Sequence, residues 1–274
     1  MNYELIYTSA PKGLKPGSSG FCTVAATEGI PSPLIGQLEL LSGFQPLQGP
    51  GPDNPVSLAH WRVRAAGRTR SVLSRVAAMG RDYTRRPNKL AYHLVLDPAE
   101  LPEPGPAWAI SQPGMMMETW SGPPAFLKPR RLSPVSASSE SNAACERWGA
   151  LTGDAGWAGV LGENFMIDPL KPAYLIRSPE IDPLPFLLEA IRLMPSRMRW
   201  QVTFNTYYSE LPAGLSCAWR CVMANTQVAK EARRVSPTVI DLTLPVGRAP
   251  DTAGAAAARE GRMLPNTFPA VSSG

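Results

Sequence analysis

The sequence predicts an α+β protein of two domains, the first built on a mainly antiparallel sheet with few helices. Period-two alternation of apolar residues recurs at Trp61, Val63 and Ala65 and at Leu90, Tyr92, Leu94 and Leu96, the signature of strands. Strand patterns follow one another with few helices between them, which favours α+β over a doubly wound sheet. The chain of 274 residues holds 30 prolines, about twice the usual share, and these exclude long helices. Eight prolines fall between Leu101 and Ser139, placing a boundary near Ser133 to Ser139. The expected division is a sheet domain over 1–135, a middle α+β domain over 140–246 and a low-complexity tail over 247–274.

Tyr3 to Thr8 opens the chain as a strand, followed by a Gly/Pro/Ser loop from Pro11 to Gly20 and a strand from Phe21 to Ala26. A helix fits Pro33 to Ser42, with Ser32 as cap, Pro33 at the first position, Leu34, Leu38 and Leu41 on one face and Gly43 at its end. From Ala59 a strand sets Trp61, Val63 and Ala65 against His60, Arg62 and Arg64. Gly67 and Arg68 turn it into a strand over Thr69 to Val76, and Leu90 to Leu96 is another. In the second half, Ala144, Trp148 and Leu151 suggest a helix. Asp182 caps another that begins at Pro183, with Leu184, Leu187, Leu188 and Ile191 inward. Trp200 to Thr206 alternates as a strand, Ser216 to Val222 makes another, a helix fits Thr226 to Val235, and Thr238 to Leu244 is the last strand.

Apolar residues at 44% and charged residues at 18% describe a chain able to bury a core. No apolar run reaches the roughly eighteen residues of a membrane span. The start, Met1-Asn2-Tyr3-Glu4, lacks the basic and apolar regions of a signal peptide. Cys22, Cys145, Cys217 and Cys221 are sparse and irregularly spaced, as expected of reduced thiols in a cytoplasmic protein.

Of the 27 Lys and Arg residues, nine lie between Arg62 and Lys89, against one of the 22 acidic residues, Asp82. The net charge of +5 is therefore local, since the rest of the chain is net negative. Arg62, Arg64, Arg68, Arg70, Arg75, Arg81, Arg85, Arg86 and Lys89, with Tyr83 among them, form the candidate partner-binding set. Arginine's planar fork suits carboxylates and phosphates alike. One tyrosine is few for a single-strand platform. A solvated strand face, an acidic protein surface and nucleic acid all remain open on this pattern.

Other chemistry finds little support. The loop Gly13 to Gly20 lacks the Gly-Lys-Ser/Thr that opens a helix in a phosphate loop, and a strand follows it. Cys217 and Cys221, placed on one strand, would lie roughly 13 Å apart, too far to share a zinc ion. Only His60 and His93 could serve a Ser or Cys nucleophile, and neither has a companion Asp at a recognisable spacing. No catalytic residue, metal or cofactor is assigned.

The opening Tyr3-Glu-Leu-Ile-Tyr-Thr-Ser-Ala-Pro-Lys-Gly-Leu-Lys-Pro-Gly-Ser-Ser-Gly-Phe-Cys-Thr-Val-Ala-Ala-Thr27 resembles that of bacterial proteins called GTPase-associated protein 1. So do Ser71-Val-Leu-Ser-Arg-Val76 and Gly80-Arg-Asp-Tyr-Thr-Arg-Arg-Pro-Asn-Lys-Leu-Ala-Tyr-His-Leu-Val-Leu-Asp97, while Arg199-Trp-Gln-Val-Thr-Phe-Asn-Thr206 is similar to the family's middle domain. The likeness covers about residues 1 to 245. It implies an accessory protein encoded beside a GTPase in bacterial conflict (anti-phage or self-limiting) systems, with no catalytic residues to carry over. Larger members continue into a further C-terminal domain, where this chain has its tail. The expectation is a non-catalytic adaptor in the cytoplasm that docks a protein, such as a GTPase or another neighbour-encoded subunit, through the arginine stretch. The alternative is a nucleic-acid-binding subunit of a larger complex.

Overall fold

The computed structural model describes residues 1–49, 51, 53–65, 67–132, 145–236 and 238–268. The protein is α+β, with two compact units. The first comprises Met1–Leu101, Gln112–Pro134 and Ser209–Ser216, the second Pro102–Ser111, Val135–Tyr208 and Cys217–Gly274. The boundary expected near residues 133–139 lies outside the described residues, as does Ala144.

In the first unit, β1 (Tyr3–Ala10), β2 (Gly20–Thr27), β3 (Ser57–Ala65), β4 (Arg68–Arg81), β5 (Pro87–Leu96) and β6 (Ala125–Leu127) form a sheet in the order β3-β4-β5-β1-β2-β6. Every pairing is antiparallel except β2 with β6. Period-two alternation predicted the pleat, but β5 is buried on both faces, from Leu90 through Leu96. One face is covered by α1 (Ser32–Leu40), which buries Leu34 and Leu38. Ser32 lies inside this helix and does not cap it; Pro31 holds the cap position without a side-chain bond. On the opposite face Arg130 fastens the 112–132 segment, donating to Tyr92 Oη at 3.1 Å, Met115 O at 3.1 Å and Gly114 O at 2.8 Å.

Placing His60 on the solvated face of β3 is corrected: it is fully buried, as is His93. Covering elements on both faces, invisible to a period-two pattern, make the difference.

In the second unit β7 (Ala173–Arg177), β8 (Phe204–Asn205), β9 (Trp219–Met223) and β10 (Thr238–Asp241) are all parallel, in the order β10-β7-β9-β8. The strand expected over Trp200 to Thr206 shrinks to Phe204–Asn205. A short helix occupies Ser196–Arg199, and residues 202–208 are all buried, so alternation in the sequence did not reflect alternating exposure. Cys217 precedes β9, and only Cys221 lies within it.

The helices here are α2 (Pro106–Ser111), α3 (Glu146–Thr152), α4 (Gly156–Ile167), α5 (Leu184–Arg192), α6 (Ser196–Arg199), α7 (Gln227–Val235) and α8 (Ala253–Arg259). Asp182 does accept the Leu184 N–H at 3.0 Å ahead of α5, although Pro183 holds the cap position. Buried Arg199 donates to the carbonyls of Met194 and Arg192 at 3.0 and 3.1 Å, satisfying the end of α5.

Within the expected tail, α8 is ordered because α4 docks it. A Cβ on Gly159 would lie 1.9 Å from the Gly254 oxygen, so the two backbones touch where only glycine fits. Arg259 closes the contact with two bonds to Asp154, at 2.9 and 2.7 Å.

Candidate functional site

Strand register decides where the basic stretch goes. Direct partners in a ladder share a face, and Arg62, Arg64 and Arg75 stand opposite Ser71, Thr69 and Leu58 on one side. Arg68, Arg70 and Lys89 stand opposite Ala65, Val63 and Ala78 on the other. The nine cations therefore do not make one surface.

They also differ in exposure. Arg62 and Arg64 are solvated, whereas Arg75 is half-buried and its guanidinium pKa is pulled down by burial, against the charge of Glu118. Arg70 lies over the Tyr3 ring, 5.4 Å from its centre. Lys89 packs over the stacked rings of Tyr7 and Phe21, at 5.9 and 5.2 Å. Burial lowers its pKa, opposed by Glu210. These side chains are spent on the fold.

Arg81, Tyr83, Arg85 and Arg86 come together at the tip of the β4–β5 hairpin. Arg68 marks the other end of β4, up to about 43 Å away along a straight strand. The ladder bulges between Ala78 and Arg81 and resumes at Arg81 opposite Pro87. Arg85 N–H donates to Asp82 O at 2.9 Å, and Asp82 N–H to Arg86 O at 2.8 Å. Arg85 sits in the left-handed region at φ 65°, the place of a left-handed residue after a tight hairpin turn.

Asp82 organises this turn. Its Oδ1 accepts from Thr84 N at 2.7 Å, Thr84 Oγ1 at 2.7 Å and Arg86 N at 3.0 Å, and its Oδ2 from Ser9 Oγ at 2.6 Å. These bonds, Ser9's foremost and then Thr84's, hold the carboxyl well below the usual carboxylate range. The lone acid of the basic stretch is thus engaged with hydroxyls and amides. Arg81 donates to the Arg85 carbonyl at 2.7 Å. Among the described residues Arg81, Arg85 and Arg86 enter no ion pair. All three are exposed, and Tyr83 between them is 54% exposed.

A groove of about 480 Å³ runs beside the tip, lined among others by Ser9, Lys12, Arg81, Tyr83 and Trp120. The sequence reading missed Lys12 and Trp120; nothing in their local pattern links them to a hairpin about 40–70 residues away. Asp82 entered that reading only as the lone acid of the stretch; the signal for its turn is an Asp two residues before a Thr, which favours a side-chain-closed turn.

Both histidines are fully buried. His93 is pinned between Ser74 Oγ at Nδ1, 2.8 Å, and Ser42 Oγ at Nε2, 2.9 Å. Burial, aided by the Lys89 charge, pushes its pKa down to about 3. All four cysteines are free and buried, and burial raises the Cys221 thiol to about 12.

These features define a class: a two-unit α+β protein whose antiparallel N-terminal sheet ends in a cationic hairpin held by its own aspartate. Residues 1–135 match the GTPase-associated protein 1 N-terminal domain, type 2, and residues 145–244 match the GTPase-associated protein 1 middle domain. The chain belongs to the GTPase-associated protein 1 family. No curated protein and no solved structure matches it.

Proposed function

We propose that this chain is a non-catalytic adaptor of a GTPase-associated bacterial conflict system, cytoplasmic and of anti-phage or self-limiting type. It docks an acidic protein partner, a GTPase or another neighbour-encoded subunit, through the β4–β5 hairpin tip. One observation carries this reading: three exposed arginines, free of ion pairs among the described residues, project from a turn fixed by Asp82. Cations on a fixed support speed encounter and set orientation, while the Tyr83 ring adds contact area that slows release. Burial of both histidines supports a role without catalysis.

The test is co-purification with the neighbour-encoded GTPase. Reversing charge at Arg81, Arg85 and Arg86 together is expected to abolish capture without unfolding the chain; unchanged capture would overturn the assignment. Exposed Tyr83 beside the arginines also favours a second reading, nucleic-acid binding, in which bases stack on the ring.

A further inference from the structure

We infer that the groove beside the hairpin tip receives an extended acidic segment of the docked protein, an inference that rests on the tip being the docking surface. Lys12 and Arg81 are both exposed on its lining, and neither enters an ion pair among the described residues. Asp82, the acid on the lining, already has its carboxylate filled by Ser9, Thr84 and Arg86. The groove therefore attracts carboxylates while its own carboxylate is spoken for.

Its wall also suits a peptide backbone. Trp120, Gly122, Pro123 and Pro124 lie along it, and Gly122 is pressed onto the indole so closely that a Cβ would come within 3.0 Å of Trp120 Cζ2. Among the described residues the buried Trp120 indole N–H finds no acceptor. Buried donors are nearly always paired, and a peptide carbonyl entering as the loop yields would complete this one. A volume of about 480 Å³ lies in the range of specific ligand pockets. Acidic peptide is favoured over nucleic acid because the lining sets two rings, Tyr83 and Trp120, among prolines and small residues, where a single-strand platform presents a row of rings.

The probe is a fluorescent peptide of alternating Glu and Gly with a benzophenone at its centre, titrated against the full chain. Cross-links are expected in residues 8–12 and 120–124, and Lys12→Glu is expected to weaken binding at least about tenfold. Absence of binding, cross-links only elsewhere, or full affinity in Lys12→Glu would overturn the groove assignment. Arg85→Glu with Arg86→Glu, scored by capture of the GTPase, tests the docking reading separately. Tighter binding of an oligothymidylate than of the peptide would overturn both. The cross-linking uses the unaltered chain, so it stands even where a variant misfolds.

Discussion

Ser9 Oγ donates to Asp82 Oδ2 at 2.6 Å, tying the end of β1 to a hairpin turn 73 residues further along the chain. Through Asp82 the same contact fixes the amides of Thr84 and Arg86, so the orientation of three arginines depends on one carboxylate.

Replacing Asp82 by Ala should therefore loosen the tip and little else. Hydrogen exchange at the Thr84 and Arg86 amides is expected to accelerate at least about tenfold, with Leu90 to Leu96 unchanged. Because the folded carboxyl pKa lies below its ordinary 3.8, the contribution is complete above that value and fades as pH falls below it. Unaltered protection at neutral pH would mean that the backbone bonds alone hold the turn.

Arg85→Gly offers a cleaner probe of the docking charge. The left-handed backbone at Arg85 disfavours any residue with a Cβ by about 1–2 kcal/mol, a gain that glycine's extra unfolded-state entropy offsets in part. Urea unfolding should find the variant as stable as the parent or about 1 kcal/mol more so, while partner capture weakens. A clear loss of stability would contradict this view of the turn.

Salt separates the two readings of the surface. If Lys12, Arg81, Arg85 and Arg86 neutralise about four phosphates, log affinity for nucleic acid should fall against log salt with a slope of roughly −3 to −4. Docking to a protein through the same end is expected to depend on salt less steeply.

His93 predicts an acid-side loss of stability. Its folded pKa is lowered from 6.5 to about 3, so between those values the unfolded chain binds a proton that the buried ring refuses. The stabilisation is complete above pH 6.5 and declines as pH falls, by at most about 1.4 kcal/mol per pH unit for one proton. Urea titrations at pH 7 and pH 5 should show a smaller drop in His93→Gln than in the parent. Equal drops would mean that the ring does not carry this penalty.

The α4–α8 contact should be equally sensitive. In Gly159→Ala the new methyl would meet the Gly254 backbone, forcing the helices apart at a cost of about 2 kcal/mol. Arg259→Ala removes two charge-assisted bonds to Asp154 and should cost a similar amount, about 2 kcal/mol. Limited proteolysis between Gly247 and Leu264 would report the release of α8; resistance equal to the parent's would refute the coupling.

Alternation at Trp61, Val63 and Ala65 and at Leu90 to Leu96 located β3 and β5 in the sequence, and the leucines of α1 and α5 located two helices. By contrast α4 was hidden. Its Gly156, Gly159 and Gly162 look like loop residues, yet they permit close approach of the chain around Ala249, Gly254 and Leu264. Trp200 to Thr206 failed in the opposite sense. Its alternation is present, but a helix precedes it and every residue from Val202 on is buried.

By itself the sequence determined the concentration of charge between Arg62 and Lys89 and the strand periods, because each depends on neighbours within a few residues. Only the tertiary structure decided which of those cations remain free. Register put Arg62 and Arg70 on opposite faces, the rings of Tyr3, Tyr7 and Phe21 packed against Arg70 and Lys89, and the hairpin turn beyond the bulge gathered Arg81, at the end of β4, with Arg85 and Arg86. Burial is set by pairing and packing partners far away in the chain, and no local pattern contains them.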